Sequence, residues 1–247
     1  ALWDLLAKSA KLPLYRILGL SSPKSPTSVT IGINPPEVVK ERIPIMLSGT
    51  QVKSLKIKLG SPEGIDADKE MYAQVIESAK PYNVNYRVDA NGGWSVKEAN
   101  HMMNWLSKRG CEYVEQPLVE GNENDLPYIY KNRALPIFVD ESCRFSHQIP
   151  EYANAVDGVN IKLMKCGGIT EALRIMAVAK AFKLKTMIGC MGESSISISA
   201  GAALTGALDY IDLDSHLNLD PDPAIGIELI DGIITPPETP GHGARLY

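Results

Sequence analysis

The sequence predicts a closed barrel of eight parallel β/α units, and three observations lead there. Short β-rich runs recur eight times, each followed by a helical pattern, the alternation that a parallel α/β architecture produces. The chain has 247 residues, enough for one large unit with a substantial core. No G-x-G-x-x-G follows the first strand candidate, so the usual phosphate turn of an open doubly wound sheet is missing.

The opening segment ALWDLLAKSAKLPLYRILGL is amphipathic and basic in the manner of an organelle transit peptide, but Trp3, Leu5 and Leu6 also fit a packed helix, which is the expectation adopted. Strands are then predicted at SVTIGI (28–33), SLKIKLG (54–60), NYRVDAN (85–91), EYVEQP (112–117), PIFVDES (136–142), GVNIKLM (158–164), KTMIGC (185–190) and YIDLDS (210–215). Helical patterns are clearest at 36–48, 66–79, 96–109, 170–182 and 195–205, with short ones near 123–132 and 147–155. The barrel is expected to occupy residues 1–220. Residues 221–247 form an atypical tail, with two short extended runs around an Asp231–Gly232 turn followed by Pro and Gly.

Composition narrows the function. Hydrophobic residues at 45% and charged residues at 22% describe an ordinary globular chain. A net charge of −4 with dispersed Lys and Arg offers no surface for nucleic acid. No apolar run reaches the roughly 18 residues of a membrane span, and no secretory signal opens the chain, so a soluble protein with no membrane partner is expected. Cys111, Cys143, Cys166 and Cys190 lack C-x-x-C spacing, which favours reduced thiols and a cytoplasmic location. His101, His147, His216 and His242 show no ligand-like pairing.

Chemistry is concentrated at the strand ends. Catalytic residues of an eight-stranded barrel come from the C-terminal ends of several strands, and there the sequence places Lys58, Asp89, Glu115, Asp140 and Lys162 on strands two to six. A lone charge at such a position is ordinary solvated surface; five on consecutive strands are not. Asp89, Glu115 and Asp140 would converge at the barrel mouth, where three carboxylates repel unless a cation neutralises them. A donor set without His or Cys suits a hard ion, Mg²⁺. Lys58 and Lys162, four strands apart in a ring of eight, would face each other across the pore. Lys56 shares the face of Lys58 because strand side chains alternate with period two, so it is a candidate tuner of Lys58 or a contact to a substrate carboxylate. Two opposed bases and a divalent metal describe removal of a carbon-bound proton beside a carboxylate and its return from the other side, inverting the centre.

The ordered set ALWDLLAK, PLYRILG, SLKIKLG, VDANGGW, VEQP, VDES, NIKLMKCGGIT, GCMGESSISISAGAAL and DLDSHL resembles the enolase superfamily. Within it the set is similar to the mandelate racemase/muconate-lactonizing subgroup and to the dipeptide epimerases of the L-Ala-D/L-Glu type. The resemblance covers essentially the whole chain and implies a TIM-like (β/α) barrel with a short C-terminal extension. It also implies a Mg²⁺-dependent isomerase that epimerises a dipeptide at its α-carbon by two-base proton transfer through an enediolate. Lys58 and Lys162 would be the acid/base pair, with Lys165 a rival to Lys162, and Asp89, Glu115 and Asp140 would be the metal ligands. Asp212 and Asp214 would hold the substrate's α-ammonium group. The alternatives are a muconate cycloisomerase or o-succinylbenzoate synthase-like reaction on the same scaffold. The family pattern begins with an α+β capping domain of roughly a hundred residues, toward which the tail would pack. With no such segment and no initiator Met, a truncated, catalytically incompetent barrel is the remaining expectation. Homo-oligomerisation is expected from the family habit.

Overall fold

A computed structural model describes residues 1–22, 24–49 and 51–247. Helices α1 (Leu2–Ser9) and α2 (Leu14–Ile17) precede β1 (Ser28–Ile31), and then come α3 (Pro36–Leu47), β2 (Ser54–Lys58), α4 (Ile65–Ala79) and β3 (Asn85–Asp89). The chain continues through α5 (Val96–Ser107), β4 (Cys111–Glu115), α6 (Leu126–Tyr130), β5 (Ile137–Val139), α7 (Ile149–Tyr152) and β6 (Gly158–Ile161). Next are α8 (Leu163–Cys166), α9 (Ile169–Ala181), β7 (Lys185–Ile188), α10 (Ser195–Ala202) and β8 (Tyr210–Ile211). The eight strands are parallel and neighbour one another in chain order. β8 returns to the start of β1: Thr27 bridges Ile211, the Leu213 amide donates to Thr27 Oγ1 at 2.8 Å, and the Thr30 amide donates to Asp214 Oδ2 at 2.6 Å. The predicted barrel is therefore the observed one.

Period-two alternation divides each strand between two environments. Leu55, Ile57 and Leu59 are buried in the large apolar cluster shared with the helices. The inward set is layered. Arg87, Tyr113, Phe138, Met187 and Tyr210 make an aromatic floor, with Tyr113 and Phe138 centroids 4.7 Å apart and the Arg87 guanidinium 5.0 Å from the Tyr210 ring. Two residues further along the chain from each stand Asp89, Glu115, Asp140, Gly189 and Asp212. A packed layer of aromatic side chains with Arg87 among them thus lies beneath the buried carboxylates, as expected for a barrel whose interior is packed and whose chemistry sits at the C-terminal rim.

Several boundaries differ from the sequence reading. β5 ends at Val139, β6 at Ile161 and β8 at Ile211, so Asp140, Lys162, Asp212 and Asp214 lie beyond strand ends, whereas Lys58, Asp89 and Glu115 are the last residues of their strands. The run to 164 is cut short by the helical turn α8, closed by Gly167 at φ +79°. In the opening helix Trp3 packs against the core and donates to Thr170 Oγ1 at 2.9 Å, whereas Leu5 and Leu6 are exposed, contrary to expectation. The tail pairs β9 (Ala224–Ile225) with β12 (Arg245–Leu246), and β10 (Glu228–Ile230) with β11 (Ile233–Thr235) across the Asp231–Gly232 turn. It packs on the N-terminal segment through Leu14 N to Gly241 O at 2.8 Å and Tyr15 Oη to Glu238 at 2.7 Å. Among the described residues no helix is long and apolar enough to cross a membrane.

Candidate active site and metal centre

Asp89 and Glu115 end neighbouring strands in register with each other and with Lys58, and Asp140 follows β5 directly. All three carboxylates are fully buried, and one oxygen from each lies within 4.8 Å of the others. The donor set is three oxygens with no nitrogen or sulfur, the chemistry of a hard divalent cation such as Mg²⁺. Three clustered anions require compensation in a low-dielectric interior, and four lysines supply it. Lys58 Nζ donates to Asp89 Oδ2 at 2.5 Å, Lys162 Nζ lies 2.6 Å from Asp140 Oδ2, and Lys165 Nζ lies 2.5 Å from Asp140 Oδ1. Lys56 Nζ contacts Glu115 Oε2 and donates to Asp212 Oδ2 at 2.7 Å.

The two candidate acid/base lysines approach the cluster from strands two and six. They differ from their neighbours in freedom. Lys165 also donates to the backbone carbonyls of Asp140, Cys143 (3.1 Å) and Asn160 (3.0 Å), so its ammonium is saturated in place. Lys162 has no such backbone ties among the described residues, which favours it over Lys165 as a mobile proton carrier. Lys58 keeps a quarter of its side chain exposed, whereas Lys56 is sealed at 1%. Lys56 thus bridges two buried carboxylates, Glu115 and Asp212.

Electrostatics follow from this pairing. Burial opposes the charged form of Lys58, but the Asp89 carboxylate outweighs it and holds the ammonium above its ordinary value. Lys162 is likewise raised, burial being overcome by Asp140. Asp140 is depressed because Lys165 and Lys162 together exceed the cost of burial. Burial pushes Glu115 up despite Lys56. Asp212, although buried, is held low by Lys56, while burial and the Asp212 charge push Asp214 up to about 6.

Asp212 and Asp214 both turn inward but have different partners. Ser28 Oγ donates to Asp212 Oδ1 at 2.6 Å, and Lys56 takes the other oxygen. Asp214 accepts the Thr30 amide on Oδ2, and its Oδ1 is approached by Cys190 Sγ at 3.8 Å. Asp214 is the one of the two that lacks a paired cation among the described residues.

Supporting groups emerge that sequence reasoning passed over. Gln116, at φ +39°, accepts the Asp140 amide at 2.8 Å and donates to Ser142 Oγ at 2.8 Å, tying the chain after Glu115 to the chain after β5. Asp68 accepts the Gly60 and Ser61 amides and Trp94 Nε1 at 2.9–3.0 Å, fixing the loop that follows Lys58. Asn160 donates to Glu115 Oε1 at 2.6 Å. The N-x-K spacing at 160–162, the same alternation as K-x-K, was the available signal for Asn160.

Comparison with known proteins follows the same lines. The model of the family described as enolase C-terminal domain-like matches residues 39–247. A hydrophobic dipeptide epimerase from Flavobacteria bacterium (strain MS024-2A) is 66% identical over 246 residues, covering 100% of this chain and 70% of that protein. Another from Roseobacter litoralis is 61% identical, covering 100% and 71%. Among solved structures, the dipeptide epimerase of Cytophaga hutchinsonii complexed with Mg and D-Ala-L-Val superposes with a TM-score of 0.91 at 33% identity, covering 100% of this chain and 68% of that one. The dipeptide epimerase of Enterococcus faecalis V583 with Mg and L-Leu-L-Tyr gives 0.90 at 33% identity, covering 98% and 70%.

Proposed function

Since this chain belongs to the enolase C-terminal domain-like family, we propose that it forms the catalytic barrel of a Mg²⁺-dependent epimerase of dipeptides with apolar side chains. The observation that carries the reading is that Lys58 and Lys162, from opposite walls, hold the two ends of one buried carboxylate triad. The identity of 66% to a hydrophobic dipeptide epimerase supports the substrate class.

Asp89, Glu115 and Asp140 would hold Mg²⁺. When bound, it supplies positive charge that offsets the carboxylates now pairing the lysines and stabilises negative charge building on the substrate carboxylate. The residues do the rest. Asp214, with Asp212 beside it, takes the dipeptide's α-ammonium and orients the chain. Either Lys58 or Lys162, in its neutral form, removes the α-proton from its own face, and the other, as an ammonium, returns a proton from the opposite face. Lys56 tunes Lys58: its like charge lowers the neighbouring lysine's affinity for a proton, which favours a neutral base. Residues 1–220 serve as the barrel and 221–247 as a tail bracing the N-terminal segment.

Incubating the chain with Mg²⁺ and a library of dipeptides in heavy water tests the reading. Apolar dipeptides are expected to gain deuterium at one α-carbon and to change configuration there, and chelation is expected to stop both. Absence of exchange across the library would sink it.

A further inference from the structure

We infer that Asn160 is a positioning residue that fixes the orientation of Glu115 in the carboxylate triad, and that Gly189 preserves the space in which it does so. The inference rests on the metal site proposed above. Asn160 is inaccessible to solvent on β6 and faces the interior in the same alternation as Lys162. Its Nδ2 donates to Glu115 Oε1 at 2.6 Å, while Lys56 takes Oε2. Both oxygens of the central carboxylate are therefore directed, one by a cation and one by a neutral amide. An amide nitrogen can donate to a carboxylate and an amide oxygen cannot, so the contact sets which way the side chain is turned. The turn leaves Asn160 Oδ1 buried without a hydrogen-bond partner among the described residues. An orphaned acceptor is unfavourable, and it is retained where the other half of the amide is committed to Glu115. Being neutral, this donor keeps its hold whatever the charge of the surrounding lysines.

The neighbouring strand supplies the second observation. Gly189 follows β7, and its amide donates to Ile161 O at 2.8 Å, beside Asn160 and Lys162. A Cβ at Gly189 would lie 2.8 Å from Asn160 Nδ2, 3.0 Å from Oδ1 and 3.1 Å from Lys162 Cε. Even a methyl group would push the amide from its place against Glu115 and crowd the acid/base lysine. One missing side chain thus serves both a metal ligand and a proton carrier.

The test is Mg²⁺ titration by calorimetry on the full chain, paired with α-proton exchange, for wild type, N160L, N160A, G189A and N160A/G189A. Outer-shell partners of metal ligands typically change affinity by about 10–100-fold, and that loss is expected for N160L, which keeps the branching but is bulkier and cannot donate, and for N160A, which removes the amide without adding bulk. G189A is expected to weaken Mg²⁺ similarly and to slow exchange. In N160A/G189A the Mg²⁺ affinity should equal that of N160A alone, because no amide remains to be displaced. A purely structural role would lower the metal-free melting temperature and leave Mg²⁺ affinity unchanged, and that result overturns the inference, as do additive losses in the double variant. A wild-type chain that neither binds Mg²⁺ nor exchanges protons overturns the functional reading together with this one; wild-type binding with indifferent Asn160 variants overturns this one alone.

Discussion

Lys56 Nζ sits 2.7 Å from Asp212 Oδ2 while also contacting Glu115, so one sealed ammonium joins the carboxylate triad to the Asp212/Asp214 pair. Removing one member of a buried ion pair is far more costly than removing a surface charge, because the partners remain desolvated and unpaired. Lys56→Met should destabilise the metal-free chain by about 3–5 kcal/mol, measured by chemical denaturation. If Lys56 were a flexible substrate contact, stability would hardly move and only the KM for dipeptide would change.

The opposed lysines predict a one-sided defect. Lys58→Ala should exchange the α-proton of one stereoisomer only, and Lys162→Ala that of the other, with interconversion reduced roughly 100- to 10,000-fold in both. Proton NMR in heavy water, starting separately from each isomer, reads this directly. Lys165→Ala should weaken both directions equally, since its ammonium anchors Asp140 and the backbone around it. A stereospecific defect in Lys165→Ala would transfer the acid/base role to that residue.

What could be read from the sequence follows the distance over which each interaction acts. Alternation within a strand is local, so K-x-K, the embedded carboxylates and the eight β/α units were legible before any coordinates. The partner of Lys56 was not: Asp212 lies 156 residues away, and only closure of the barrel between β8 and β1 brings it there. The same closure commits Asp212 to Lys56 and Ser28 and leaves Asp214 differently placed, a distinction that D-x-D spacing cannot make. Asn160 carried a readable pattern but no charge to attract notice. The exposed Leu5 and Leu6 misled because amphipathicity shows that a helix has an apolar face, not which part of it is covered.

Asp214 gives the site a pH dependence of definite sign. Burial and Asp212 raise it from 3.8 to about 6, so the folded chain favours the protonated acid. Its contribution to stability is fully present below about 3.8 and is lost as pH rises through about 6. Ammonium binding needs the carboxylate, so the two properties run in opposite directions. The KM for dipeptide should fall as pH rises through about 6, and Asp214→Asn should raise KM and flatten that segment of the profile. A KM in the Asn variant that still falls across this range would assign the titration to another group.

The aromatic floor predicts a stability defect separable from the chemistry above it. At the start of β6, Gly158 faces Phe138: a Cβ there would come within 2.3 Å of Phe138 Cε1 and 2.6 Å of Cδ1. Phe138 cannot retreat freely, because it packs against Tyr113 at 4.7 Å and Tyr210 at 5.4 Å, and Arg87 lies 5.0 Å from the Tyr210 ring behind them. Overpacking of this kind costs about 1–3 kcal/mol, which for a chain of this size lowers the melting temperature by roughly 2–4 °C per kcal/mol. Gly158→Ala should therefore melt earlier. Phe138→Leu, which leaves a void, should also melt earlier, yet the double variant should recover part of the loss because the new methyl fills that void. Strictly additive melting shifts would mean that the two residues do not share the space, and that the floor is held by Tyr113 and Tyr210 without them.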